Sequence, residues 1–210
     1  MNEKMTKLKE QIDKDPENIP LVEDYVRLLS DLIIEYSRED NLEELEKVIE
    51  ELDRIIAIYS EHKSIIQLYG ESIVNSLPLI FAKSTITQVK KIINNLRSKA
   101  DKTNNIHLSE FLSMVLVNAI YDFSLLNKAG TIHEFALELT DLTRKYPTNV
   151  TIMAAGAKGM MNATMFFMQS QDMNAARSYY QTLIKILNNS QKKDVVDSRR
   201  LLQLKEYFEK

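Results

Sequence analysis

The chain predicts an all-α fold, and three observations carry that expectation. Turn residues are scarce: 4 Gly and 4 Pro in 210 residues is less than half the usual frequency. A β-sandwich or an α/β enzyme needs such residues more often, whereas long helices joined by short polar links do not. Apolar residues recur with the 3.6-residue period of a helix. That pattern itself returns every 43–44 residues, the signature of a stacked array.

The repeat is read from the first inward aliphatic of each segment. Leu21, Ile65, Leu108, Ile152 and Val196 are separated by 44, 43, 44 and 44 residues. Eight positions on lie Leu29, Ile73, Leu116 and Met160, and fifteen on lie Tyr36, Ile80, Phe123 and Phe167. Offsets 0, 4, 8, 11 and 15 trace one helix face. Each such helix is followed by a second amphipathic one, which predicts the pairs 21–37 with 41–59, 64–82 with 85–96, 107–127 with 131–146 and 151–169 with 173–187. Inward positions of the second helices are Leu45, Val48, Ile49 and Leu52, then Val89, Ile92, Ile93 and Leu96. Phe135, Leu139 and Leu142 follow, then Ala176, Tyr180 and Leu183. Asp40 or Asn41, Ser84 or Thr85, Thr131 and Asp172 stand as N-caps. Gly130 stands where a chain reversal is expected. Segments 1–14 and 194–208 read as capping helices, each with a polar face.

The expected architecture is a right-handed α-α superhelix of about four antiparallel helix pairs in one domain, 1–210. Its repeats run about 19–62, 63–105, 106–149 and 150–193, with a C-terminal capping helix over 194–208.

Hydrophobic content of 44% with 27% charge is that of a folded globular chain. A net charge of −3 argues against general nucleic-acid binding, which needs a basic footprint. The absence of cysteine removes disulfides, thiolate metal sites and a cysteine nucleophile together, and fits a cytoplasmic setting. The first fifteen residues alternate charge with Met and Leu, unlike a signal peptide. No membrane span is expected; the nearest apolar run, 150–168, is interrupted by Lys158, Asn162 and two glycines.

Repeats three and four resemble tetratricopeptide repeats. "SQDMNAARSYYQTLIKIL" is similar to that family's second helix, with Ala176, Tyr180 and Leu183 at its small, aromatic and small-or-aliphatic positions. Gly130 and Pro147, 17 residues apart, match the family's glycine-to-proline spacing, and "DKDPEN" resembles its link between repeats. The departures are a period longer than the family's 34 residues, no Trp, and Leu45 and Val89 where small residues are expected. Two-helix arrays of the HEAT and armadillo types have a closer period and stand as alternatives. The resemblance implies that the first helix of each pair lines a concave surface.

In that register the accessible face falls at offsets 6, 9 and 13. The candidate groove is therefore Arg27, Ile34, Glu71, Val74, Met114, Val117, Tyr121, Lys158, Met161 and Met165, with Ser30 and Pro78 completing the set. It lacks the basic and amide clamp with which carboxylate-binding members of the family hold a peptide C-terminus. Its apolar character points to a docked amphipathic helix or to a homodimer. A pocket for a small apolar ligand between Tyr121, Met161 and Met165 is the further reading.

No catalytic residue, cofactor or metal is expected. His62, His107 and His133 show no ligand spacing of the HExxH kind. The "GAKG" at 156–159 lies inside a helical pattern with no preceding strand, so Gly156 and Gly159 are expected to admit a neighbouring helix. Methionines at 153, 160, 161, 165 and 168 make that helix apolar nearly all round, which suits a buried helix or an adaptable binding surface. Pro78 is expected to kink its helix. Charge is segregated: 39–54 carries eight acidic and two basic residues, and 83–102 six basic and one acidic. The expected meaning is two faces that attract each other as neighbours; phosphate or RNA on Lys90, Lys91, Arg97 and Lys99 is the minor alternative.

Overall fold

The computed structural model describes residues 3–83, 85–190 and 195–209. Among them there are ten α-helices and no strand, so the all-α expectation holds. The helices are α1 (Glu3–Lys14), α2 (Ile19–Arg38), α3 (Leu42–Ile58), α4 (Lys63–Lys83) and α5 (Ile86–Thr103). They continue with α6 (Ile106–Leu125), α7 (Ala129–Lys145), α8 (Val150–Gln169), α9 (Met173–Asn189) and α10 (Ser198–Phe208). Met1, Ser84 and Asp194, used above as helix or cap bounds, lie outside the described residues. The helices fall into two compact units, Met1–Phe111 and Leu112–Lys210, divided within α6.

In the first unit α2 packs against α1, α3 and α4, while α4 also meets α3 and α5. The contact of α2 with α4 is what stacked helix pairs require, because it joins the first helix of one pair to the first helix of the next. The predicted register supplies the core: Tyr25, Leu29, Tyr69 and Ile73 are fully buried, as are Leu45, Leu52, Ile93 and Leu96. Each such aliphatic contributes about 1.5–3 kcal/mol by leaving water. The face is wider than the five offsets used to find it, since Val22, Val26 and Ile33 are buried beside them. Gly70 is needed for a close approach: a Cβ there would stand 2.0 Å from the Phe111 ring.

One buried carboxylate organises the start of this unit. Glu51 of α3 accepts hydrogen bonds from Tyr25 Oη at 3.0 Å and from Arg54 Nε and Nη2, both at 2.8 Å. Lys9 of α1 approaches it at 3.2 Å. Burial would push this carboxyl up, but the donors outweigh it and hold Glu51 down at about 2.

The acidic and basic runs meet, as expected. Asp53 of α3 accepts from Lys99 Nζ at 2.7 Å, Asn95 Nδ2 at 2.7 Å and Tyr69 Oη at 2.9 Å. Gln88 donates to Glu46 at 2.6 Å, and Lys91 to Glu50 at 3.2 Å. Two of the four cations suggested for phosphate are thus engaged by carboxylates of α3.

In the second unit α8 lies against α7 and α9, and α10 rests on α9. A Cβ at Gly156 would stand 2.3 Å from Thr143 Cγ2, and one at Gly159 2.3 Å from Leu139 Cδ2. The two glycines admit α7, as expected. Phe123 meets Phe135 at 5.7 Å between centroids, joining α6 to α7. Phe208 of α10 stacks on Tyr180 of α9 at 4.8 Å.

Asn41, Thr85 and Asp172 cap their helices, Thr85 in a reciprocal capping box with Gln88. Thr131 does not cap α7; the helix begins at Ala129 after Lys128, which makes no side-chain cap. The reversal falls on Asn127, whose φ is 53°, because an Asn side chain tolerates the left-handed region. Gly130 lies inside α7 with open space around it. α5 runs on to Thr103, past the predicted end at 96, and stops at Asn104 with φ 47°. The helix α4 stays continuous through Pro78.

The helices nearest in length and composition to a membrane span are α4 and α6, not 150–168. Over Lys63–Ala82 and Ile106–Leu125 both are long and apolar enough, by length and composition, to cross a membrane. About half of each is buried within the fold, as core helices of helical proteins are.

Candidate functional site

A helix that is apolar on every side has nowhere to turn a polar face. α6 is such a helix: between Leu112 and Leu125 its only charged residue is Asp122. One face, with Leu112, Val115, Leu116, Ala119 and Phe123, is buried. On the other side Met114, Val117, Tyr121 and Leu125 follow one another at spacings of three and four, which places them on a single stripe. Met114 and Val117 are half-buried, Tyr121 is 52% exposed and Leu125 69% exposed. Three of the four were expected from the repeat register; Leu125 was not, because its equivalents Arg38, Ala82 and Gln169 follow no common chemistry.

α8 repeats the geometry less openly. Lys158 is exposed and Met165 half-buried on one face. Met161 is only 4% exposed. It is therefore no part of an exposed groove surface. In the first unit Arg27 and Glu71 are exposed, and Ile34 and Val74 half-buried. These four sit on the adjacent helices α2 and α4 and form a mixed rather than an apolar surface; Glu71 accepts from Gln67 at 2.5 Å. The predicted set thus separates into a mixed quartet in the first unit and a mainly apolar set in the second, with Lys158 as its charged member.

Asp122 borders the stripe beside Tyr121 and was not singled out from sequence. Its Oδ2 is shielded from solvent without a hydrogen-bond partner, and burial pushes its carboxyl up from the ordinary range. A carboxyl oxygen left unpartnered is costly and unusual enough to require an account. The signal was present in sequence: a single acid in the apolar stretch from Leu112 to Leu125.

Two of the three histidines are held by hydrogen-bond partners. His107 Nδ1 lies 2.9 Å from Glu110, and His133 Nδ1 meets the Tyr179 hydroxyl. Tyr179 is pushed up to about 12 by burial and by the charge of Asp172, so its phenol stays neutral. Among the described residues no group of three His, Asp or Glu side chains is arranged to hold a metal ion.

No family model, no curated protein and no solved structure matches this chain.

A recess of about 260 Å³ opens between the end of α8 and α10, walled by Met165, Met168, Leu204 and Tyr207 with Arg200 and Gln203 beside them. Of the predicted groove residues, Met165 alone borders it.

Proposed function

We propose that this protein is a non-catalytic interaction scaffold built from degenerate, long, tetratricopeptide-like helix pairs. It binds the apolar face of a partner helix along Met114, Val117, Tyr121 and Leu125. The observation that carries this reading is the exposure of Tyr121 and Leu125 on a helix whose other sides are apolar and packed. An amphipathic helix with anchors at i, i+3 or i+4 and i+7 matches the spacing of that stripe. Covering an exposed Tyr and Leu removes large apolar area from water, each worth on the order of 1–2 kcal/mol to binding. A donor on the partner, an amide or a cation, would satisfy Asp122. The packing of α2 on α3 and α4 supports the helix-pair reading.

The test is partner retention. The protein is expected to hold a partner from cell extract, and Tyr121→Asp with Leu125→Asp is expected to abolish this while leaving the helical circular-dichroism signal and the melting temperature unchanged. Retention of the same partner by the double variant would remove the stripe from consideration. Sedimentation separates self-association: a chain that is dimeric at micromolar concentration, and monomeric with both aspartates, is its own partner.

A further inference from the structure

We propose that the recess between α8 and α10 binds a small amphiphile, a carboxylate carried on an apolar body of medium length. Four side chains set the apolar part. Met165 and Met168 come from the last turn and a half of α8, and Leu204 and Tyr207 from α10. Methionine sulfurs and flexible side chains adapt to an irregular aliphatic chain. The recess, about 260 Å³ and open to solvent on one side, is walled mainly by apolar side chains. A single aliphatic chain can lie along such a wall, and an eight-carbon chain is the probe chosen for it.

The charged end is assigned by Arg200. Its guanidinium makes no hydrogen bond or ion pair to another described residue. Arg200 stands in the first turn of α10, where the amides of Arg199 and Arg200 are already taken by Asp197 Oδ1 at 2.9 and 3.2 Å. The helix end is therefore occupied, and anion recognition falls to the side chain, whose planar fork suits a carboxylate. Asp197 is the nearby acid that disfavours anions. Its carboxyl is held below the ordinary range, first by those two amides and then by the charges of Arg199 and Arg200. Gln203 adds an amide donor at the same wall. Stacking of Tyr180 on Phe208, with Arg177 over the Phe208 ring at 5.8 Å, holds α10 in place. The site uses α8 and α10 and stands independently of the stripe on α6.

The test uses the intact protein with ¹³C-methyl methionine, the resonances of Met165 and Met168 being assigned by replacing each with Leu. Octanoate is the probe, with octanol as its uncharged counterpart. Octanoate is expected to shift these two methyls selectively at millimolar concentration, and octanol to bind about tenfold more weakly. Arg200→Gln, on an exposed turn, is expected to weaken octanoate about three- to fivefold and leave octanol unchanged. Equal binding of the two probes, shifts spread over all methionines, or no shift at all would each overturn the proposal. Loss of partner retention by the α6 variants leaves this result untouched, so the two readings fail separately.

Discussion

Glu51 is held by donors from three helices, and this makes the first unit sensitive to acid. Its folded pKa of about 2 lies below the ordinary 4.5, so the stabilisation is complete above pH 4.5 and is lost as pH falls through about 2. The shift corresponds to roughly 3 kcal/mol, and to nearer 2 after discounting the partly exposed Lys9 and Arg54. Glu51→Gln is expected to cost about 2 kcal/mol at pH 7 and to flatten the acid limb, as urea titrations from pH 7 to 2 would measure. Asp122 has the opposite sign. Its pKa is raised by burial, so its ionisation opposes folding once pH exceeds its unfolded value. Asp122→Asn is expected to stabilise the second unit at pH 7 while weakening partner binding; a lower melting temperature would contradict that. The glycines divide in the same way. Gly156→Ala drives a methyl into Thr143 and is expected to cost about 1–3 kcal/mol. Gly130→Ala meets open space inside α7 and is expected to gain up to about 1 kcal/mol. The sequence pattern told Gly156 and Gly159 from loop glycines because both sit in an apolar helical run. It misassigned Gly130, since an Asn three residues earlier can make the same reversal.

Between elements, the contact of α3 with α5 distinguishes interactions that look alike on paper. The Asp53–Lys99 pair has side chains only 14% and 19% exposed, whereas Glu50–Lys91 has 64% and 58%. Asp53→Ala leaves Lys99, Asn95 and Tyr69 without their shared acceptor and is expected to cost about 2–3 kcal/mol. Lys91→Ala is expected to change stability by less than about 0.5 kcal/mol; thermal unfolding of the two variants checks the difference. That the two charge runs face each other was legible from their spacing, which nearly equals the repeat. Which pair is shielded was not, because shielding depends on Tyr69 closing over Asp53. Register was legible for the same periodic reason. The predicted inward positions are buried, except that Leu21, Tyr36, Leu142 and Val196 are half-buried. Of the residues at offsets 6, 9 and 13, only Met161 is buried. An apolar residue on an apolar helix offers no contrast to mark its side, so α8 was where the reading of the groove failed.

For the whole molecule, the division into Met1–Phe111 and Leu112–Lys210 predicts that damage stays local. Native-state hydrogen exchange on Asp53→Ala is expected to show lost protection mainly within 3–111, and on Gly156→Ala mainly within 112–209. Composition and periodicity were enough to identify an all-helical chain, while the recess beside Met165 was not legible, because it forms where α10 meets the end of α8. The hydrogen bonds from α3 to α5 span 41, 42, 42 and 46 residues at Lys91–Glu50, Gln88–Glu46, Asn95–Asp53 and Lys99–Asp53. Such bonds work as a ruler. Deleting a single residue inside α4 would turn everything beyond it by about 100° and set all the α3–α5 partners against the wrong neighbours. Descendants of this chain can rewrite most of their surface letter by letter, but can change length only at the links or by a whole helix pair.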